Sequence, residues 1–254
     1  MKNSQTENRS ILEHCREIDR CNQRGGRMLS IVDLVEAGTV TGELAAYCLA
    51  AIGGGASFLV GALPGGAGKT TVMGALLNFV PADVHLVPAD GIGSIEQGMK
   101  VPPSSRRCFI CHEIGSGPYY AYLWGEELRQ YFRRAGAGHM LATNLHADTY
   151  EQAHQQICGT NGVPESDMRR MNLMFFLSVG RQGRGKRRIE EAWESDGRQP
   201  HRRIYDASAA EAAVGPSLLV SDEALASARG VVDDLLAGGV RPIQDVRARV
   251  VRAG

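Results

Sequence analysis

Residues 58–72 read Phe-Leu-Val-Gly-Ala-Leu-Pro-Gly-Gly-Ala-Gly-Lys-Thr-Thr-Val, an apolar run followed by a glycine-rich turn and a Lys-Thr pair. The pattern predicts a strand over 58–62 and a helix over 69–79. Glycines let backbone N–H groups turn inward around a polyphosphate, and the helix directs the positive end of its dipole at the same anion. The stretch therefore predicts a phosphate-binding loop. The alternative is a glycine-rich turn in which Lys-Thr occurs by chance. Such a turn does not require a strand, glycines, Lys-Thr and a helix in this order.

The loop departs from the pattern GxxxxGK[ST] at its first position, where Leu63 replaces glycine. Gly61 and Gly65 flank that position, so the chain can still turn there. In such loops the lysine reaches the β- and γ-phosphates and the following hydroxyl binds Mg²⁺. We therefore predict that the phosphates of a nucleotide are held by Gly65, Gly66, Ala67, Gly68, Lys69, Thr70 and Thr71, with Thr70 as a metal ligand.

Composition narrows the class of protein. The 254 residues can form a full hydrophobic core, and 43% of them are apolar. The 28 basic and 28 acidic residues give no net charge, so the protein as a whole does not attract nucleic acid electrostatically. Residues 1–17 are polar and charged, unlike a secretory signal, and the apolar stretch over 45–67 is interrupted by glycines and Pro64. Six scattered cysteines are typical of reduced thiols. These features predict a soluble, cytoplasmic protein.

Helical and strand patterns alternate along the chain, which predicts an α/β fold with a mostly parallel central sheet. We expect a helix over 119–134 and an irregular Gly/Pro-rich connection over 88–103. The remaining predicted helices span 10–22, 30–37, 41–51, 149–158, 222–237 and 242–252. The remaining predicted strands span 84–87, 107–112 and 139–144, followed by a β meander over 173–179, 187–193 and 202–205.

Three segments supply candidate partners for the loop. The strand that ends in Glu113 places a carboxylate where it can bind Mg²⁺ or orient the attacking water. Asp90 follows the strand over 84–87 and can orient water in the same cleft. An ordinary Asp in a turn before Gly91 is an equally good interpretation. A further apolar strand leads to Asn144 and His146, polar groups that can sense a γ-phosphate. We therefore predict catalytic roles for Glu113, His146 and Asp90, and metal ligation by Thr70 and Glu113.

The pair Cys108 and Cys111 has the spacing of a metal or redox motif, but it lies within a strand. Residues three apart on a strand point to opposite faces, and the chain contains no second CxxC. We therefore expect both cysteines to be buried apolar residues, and we assign no metal besides Mg²⁺.

These segments together resemble the type II/type IV secretion and pilus-motor ATPase superfamily. Residues 58–81 are similar to its strand, phosphate loop and helix, and Asp90 falls at its acidic box. Cys-His-Glu-Ile over 111–114 is similar to its strand ending in Glu. Gly-His-Met-Leu-Ala-Thr-Asn-Leu-His-Ala over 138–147 is similar to its histidine box, the most discriminating of these motifs.

The resemblance implies a RecA-type P-loop fold, Mg²⁺-dependent ATP hydrolysis and a hexameric ring. It also implies work on pilin-like or secreted subunits at the inner face of the cell membrane, through inner-membrane platform components of a secretion or pilus-assembly system. On this basis we expect an N-terminal helical extension over 1–29, an ATPase core over 30–215 and a C-terminal helical subdomain over 216–254. Two alternatives follow for the N-terminal domain that family members carry: a partner ATPase chain supplies it, or the chain is a reduced paralogue that binds nucleotide and hydrolyses it slowly or not at all.

Two other functions are left open by the sequence. Leu63, Ala89 and Gly115 stand where the family has Gly, Glu and Arg, which fits a nucleotide-binding adaptor or regulator with little turnover. A nucleic-acid motor is suggested by the basic run Arg181, Arg184, Lys186, Arg187 and Arg188. This run lacks an aromatic platform and more simply predicts a solvated hairpin tip, so we do not expect nucleic acid as a partner.

Overall fold

The structure, a computed structural model, describes residues 2–22, 25–100, 105–180, 186–209 and 212–253. Its centre is one sheet, in which the hydrogen-bonded neighbours follow the order β2-β3-β5-β1-β6-β7-β8, and the short β4 pairs with β3. The strands are β1 (Phe58–Gly61), β2 (His85–Pro88), β3 (Arg107–Ile114), β4 (Tyr122–Leu123), β5 (Met140–Leu145), β6 (Leu173–Val179), β7 (Arg187–Glu194) and β8 (Arg202–Asp206).

The strands from β2 to β6 run parallel, whereas β6, β7 and β8 form an antiparallel meander. Strand β5 lies between β1 and β3, with Ala142 opposite both Phe58 and Ile110. Because the strands are parallel, their carboxyl ends share one edge, where open α/β sheets place their ligands. The predicted α/β class, with a mostly parallel sheet, a meander and C-terminal helices, is confirmed.

Alternating side chains of the strands divide the core between the two faces of the sheet. Phe58 and Val60 belong to one buried cluster and Leu59 to the other. Cys108 and Cys111 are likewise free, fully buried and in different clusters. The expectation that these two cysteines are buried on opposite faces is therefore confirmed.

Helices pack on both faces of the sheet. They are α1 (Lys2–Arg20), α2 (Ile31–Glu36), α3 (Gly42–Gly53), α4 (Lys69–Leu77), α5 (Ile92–Met99), α6 (Glu126–Gly136), α7 (Tyr150–His154), α8 (Glu165–Met168), α9 (Asp222–Ala237) and α10 (Ile243–Ala253). A π-helical turn, Gln155–Thr160, follows α7. As predicted, Thr41 caps α3, because its hydroxyl accepts a hydrogen bond from the amide of Leu44 at 3.1 Å.

The first and last helices pack into the same cluster as the sheet. Ile11 and Ile18 of α1 and Val246 of α10 all contribute to it. Arg252 of α10 also lies 3.2 Å from the carboxylate of Glu7. The division at residues 29 and 215 stays a prediction.

Two local predictions were wrong. The connection over 88–103 contains α5, whose glycines at positions 93 and 98 hide its helical pattern. The helix predicted over 119–134 begins only at Glu126, because Ala121 and Gly125 have φ angles of 55° and 59°, outside the helical region. Tyr122 and Leu123 instead pair with Glu113 and Ile114 as β4.

Within the described ranges, no helix combines the length and the apolar character needed to cross a membrane.

Candidate functional site

The loop between β1 and α4 has the backbone of an anion cradle. Gly66 and Gly68 have φ angles of 81° and 100°, a conformation that favours glycine. Gly68 is the N-cap of α4, so the free amides of the first helical turn face the loop. The loop and the helix start therefore combine the two features that bind phosphate groups.

The start of the loop shows how the chain turns although position 63 is not glycine. The amide of Leu63 donates to Oδ1 of Asp148 at 2.6 Å, which anchors the loop to the segment after β5. The Leu63 side chain is 48% exposed and is not among the described residues that line the adjacent cavity. Gly61 provides the required close approach, because a Cβ there would lie 2.7 Å from the carbonyl oxygen of Ala147.

Lys69 and Glu113 meet below the loop, where both side chains are 8% exposed. Nζ of Lys69 lies 3.5 Å from Oε2 of Glu113 and donates to the carbonyl of Ala62 at 3.1 Å. Burial raises the pKa of Glu113 and lowers the pKa of Lys69, although attraction between the two charges opposes both shifts. Oε1 of Glu113 is buried without a hydrogen-bond partner among the described residues, so an acceptor faces this site.

His146 joins the same group from the segment after β5. Its Nδ1 lies 3.2 Å from Nζ of Lys69 and 3.1 Å from the carbonyl oxygen of Leu63, and its Nε2 lies 3.7 Å from Oε2 of Glu113. The side chain is 46% exposed, whereas its backbone is held by Gln156, whose Nε2 donates to the His146 carbonyl at 2.7 Å. The imidazole can therefore change partners while its backbone stays fixed.

Asn144 and Asp90 form hydrogen bonds with residues outside this group. Asn144 is fully buried, and its Nδ2 donates to the carbonyl of His112 at 2.8 Å. Asp90 is exposed at the end of β2, where its amide donates to the hydroxyl of Ser94 at 3.0 Å. Neither is among the described residues that line the cavity. The catalytic role of Asp90 stays a prediction.

A cavity of about 620 Å³ lies over the loop. Among the described residues that line it, Glu113 is the single carboxylate, whereas Arg27, Lys69, Lys186 and Arg187 are basic. Arg27 is already paired with Asp33, at 2.8 Å. The surplus of basic groups suits an anionic ligand. The other lining residues are Asn22, Gly25, Met28, Leu29, Leu34, Ala37, Thr39, Gly65, Gly66, Ala67, Gly68, Thr70, Thr71, Val72, His146 and Leu177.

Sequence reasoning missed the part of this lining that comes from other segments. The sequence predicts Arg187 in a solvated hairpin tip. In the structure its side chain packs over the loop, because a Cβ added to Gly68 would lie 3.3 Å from Cδ of Arg187. Arg188, the next residue, turns away and pairs with Glu190 at 2.7 Å. Arg181 and Arg184 of the same basic run lie outside the described residues. The alternation of side chains along β7 was the one available signal that Arg187 and Arg188 face opposite ways.

The residues present fit a nucleotide with Mg²⁺. The positive-φ glycines and the free amides suit phosphate oxygens, and Thr70 and Glu113 offer oxygen ligands of the type that Mg²⁺ prefers. The unpartnered Oε1 of Glu113 agrees with this fit, because a buried acceptor without a donor is costly unless a ligand or water satisfies it.

Two solved ATPases are similar to this chain. The VirB11 ATPase of the Brucella suis type IV secretion system, solved in complex with sulphate, is 20% identical with a TM-score of 0.44; the match covers 64% of this chain and 54% of that one. The ATPase DotB of Yersinia pseudotuberculosis is 11% identical with a TM-score of 0.43, covering 82% and 60%. The chain thus spans between half and two thirds of their lengths. No family model and no curated protein matches it.

Proposed function

We propose that this chain binds ATP with Mg²⁺ on residues 65–71 and hydrolyses it. The observation that carries this proposal is the buried contact between Lys69 and Glu113 beneath the positive-φ glycines of the loop. A lysine and a carboxylate that share a buried site next to an anion cradle are two of the groups that phosphoryl transfer uses at such a loop. The surplus of basic groups in the cavity supports a polyphosphate as the ligand.

Each residue has a role that follows from its position. The loop amides and Lys69 would hold the β- and γ-phosphates, while Thr70 and Glu113 would supply oxygen ligands for Mg²⁺. The bound ion would neutralise charge that develops on the phosphate oxygens. Oε1 of Glu113 accepts a hydrogen bond from the attacking water and so orients it.

His146 and Arg187 complete the site in this proposal. His146 contacts Lys69, Glu113 and Leu63 at the same time, so a γ-phosphate that draws Lys69 away changes the partners of the imidazole. Arg187 lies over Gly68 and adds a guanidinium to the phosphate cradle from within the same chain.

We further propose that the protein is the motor of a type II/IV secretion or type IV pilus-like system, works as a homohexamer and meets the membrane through partner proteins. The motif resemblance supports this, and the exposed side chains of Leu63, Tyr119 and Tyr120 support the assembly alone. All three belong to loops that follow β1 and β3, at the carboxyl edge of the sheet, where an interface between subunits would cover them. Light scattering on the purified chain, with and without a non-hydrolysable ATP analogue, tests the assembly.

The adaptor function remains the second candidate, because Asp90 lies outside the described cavity lining and leaves Glu113 as the one carboxylate there. Phosphate release from ATP, measured for the wild type beside Lys69→Ala, separates the two. Turnover in the wild type that disappears in Lys69→Ala supports the motor. ATP binding without phosphate release supports the adaptor, and absence of binding contradicts both.

A further inference from the structure

A second group of ligand-type side chains lies away from the phosphate loop. His154 ends α7, Cys158 lies in the π-helical turn and Glu165 begins α8. One potential ligand atom from each residue lies within 4.8 Å of the other two. The three residues therefore bring an imidazole, a thiol and a carboxylate to one place on the surface.

The local backbone explains why these side chains meet. His154 and Cys158 are four residues apart, a spacing that puts two side chains on the same side of a helix. The chain then reverses at Gly162, whose φ of 67° favours glycine, and Pro164 precedes α8. This reversal brings Glu165 next to His154 and Cys158. π-Helical turns are rare and occur frequently at functional sites.

The group is open to solvent, because 39% of the His154 side chain and 53% of the Glu165 side chain are exposed. Nε2 of His154 lies 2.5 Å from Oε1 of Glu165, and Sγ of Cys158 lies 3.2 Å from Sδ of Met168. Cys158 is half-buried, whereas the other five cysteines, Cys15, Cys21, Cys48, Cys108 and Cys111, are all buried. Of the six thiols, that of Cys158 is thus the one that a dissolved cation can reach without unfolding the core.

The donor set selects the kind of cation. Mg²⁺ and Ca²⁺ prefer oxygen ligands alone, whereas Zn²⁺ takes thiolate, imidazole and carboxylate together, commonly from three side chains with water in the fourth position. Metal–ligand bonds of about 2.0–2.3 Å in a tetrahedron place neighbouring donors about 3.3–3.7 Å apart. The present 2.5 Å separation between Nε2 of His154 and Oε1 of Glu165 would therefore have to widen by about 1 Å. An adjustment of the two side chains can provide this.

We infer that His154, Cys158 and Glu165 form a binding site for Zn²⁺ or a cation of the same class, with water as the fourth ligand. Binding would release the thiol proton of Cys158 to solvent. The proton of the hydrogen bond between His154 and Glu165 would pass to Nδ1 of His154 or to solvent, and two bonds to the ion would replace that hydrogen bond. The ion fixes the turn that also carries Gln156, the residue whose side chain holds the backbone of His146. The site contains none of the residues of the phosphate loop.

Titration of the purified full chain with Co²⁺, followed by competition with Zn²⁺, tests this site. We expect one Co²⁺ per chain, a thiolate-to-cobalt charge-transfer band and the visible bands of a tetrahedral ion, all displaced by Zn²⁺. Cys158→Ser should abolish the charge-transfer band, and His154→Gln should weaken Zn²⁺ binding at least tenfold. Glu151→Gln, an exposed carboxylate on the same helix outside the group, should leave both unchanged.

The absence of a charge-transfer band in the wild type would overturn the inference, as would a band that persists in Cys158→Ser. Circular dichroism checks that each variant is folded. If either Cys158→Ser or His154→Gln does not fold, the other variant still tests the site. Lys69→Ala should bind Co²⁺ as the wild type does, so the outcome is separate from that of the nucleotide experiments.

Discussion

Nζ of Lys69 lies 3.5 Å from Oε2 of Glu113, and only 8% of either side chain is exposed. Burial of this pair is costly because both charges leave water. Their mutual attraction, the bond from Lys69 to the carbonyl of Ala62 and the contact of Lys69 with Nδ1 of His146 offset part of the cost. A phosphate that enters the cavity competes with Glu113 for Lys69. The nucleotide would thereby release the carboxylate for its role toward Mg²⁺ and water.

Glu113→Gln should separate binding from turnover. Glutamine preserves the size of the side chain but cannot bind Mg²⁺ as an anion or take a proton, so phosphate release should fall by about 10²–10⁴-fold. The Kd for ATP should change only a few-fold, because Lys69 and the loop amides remain. Single-turnover phosphate release and fluorescent-nucleotide binding measure the two quantities. A Glu113→Gln variant with wild-type turnover would remove Glu113 from the mechanism.

Arg187→Ala should weaken nucleotide binding. A charge-assisted hydrogen bond contributes about 1.5–3 kcal/mol, so its loss should raise the Kd for ATP by about tenfold to a hundredfold. Arg188→Ala is the matched control, because its guanidinium pairs with Glu190 and does not line the cavity. Equal effects of the two substitutions, measured by calorimetry at one salt concentration, would show a general loss of positive charge and not a contact at the loop.

Gly61→Ala should destabilise the fold. The new methyl group would lie 2.7 Å from both the carbonyl oxygen of Ala147 and Cδ1 of Phe176, and such overpacking costs about 1–3 kcal/mol. Gly230→Ala is a control of opposite sign, because this glycine lies in the exposed part of α9 with nothing within 4 Å of the added Cβ. Urea denaturation should show a gain of about 1 kcal/mol there. A stable Gly61→Ala variant would mean that β1 and Phe176 are less closely packed.

His14 should make stability fall in mild acid. Burial lowers its pKa to about 3, and the charges of Arg247 and His85 act in the same direction. Between pH 6.5 and pH 3 the unfolded chain therefore binds a proton at this residue that the folded chain does not, so stability decreases as the pH falls. From pH 6.5 to 5 the loss from this residue is about 1.6 kcal/mol, because the slope rises to about 1.4 kcal/mol per pH unit only when the unfolded chain is fully protonated at this histidine.

The His14→Gln variant isolates this contribution, because glutamine does not titrate and its amide can replace the imidazole contact with the carbonyl of Leu77. Burial also lowers the pKa of His112, His139 and His201, and their contributions are common to both proteins. The free energy of unfolding of the variant should depend less on pH than that of the wild type between pH 6.5 and 5. Parallel curves would contradict burial of a neutral His14.

The parts of this structure that were predictable are those governed by local sequence. The loop over 65–71 and the strand leading to Glu113 follow from short patterns, because glycine spacing and apolar runs act over a few residues. Strand β4 was not predictable, since Tyr122 and Leu123 pair with β3 only after the chain has turned at Ala121.

The same distinction applies to the site. Arg187, Asn22 and Gly25 reach the cavity from segments far from the loop, and only the packed sheet brings them there. The contact of Asp148 with the amide of Leu63 also depends on tertiary structure. It explains how the loop keeps its shape with leucine at the position where the motif has glycine.

Calorimetric titration of the purified chain with a non-hydrolysable ATP analogue and Mg²⁺ tests the central claim most directly. We predict saturable binding of one nucleotide per chain in the wild type and no detectable binding in Lys69→Ala, with both proteins shown to be folded by circular dichroism. Absence of binding by the folded wild type, or equal binding by Lys69→Ala, would contradict a nucleotide site at this loop.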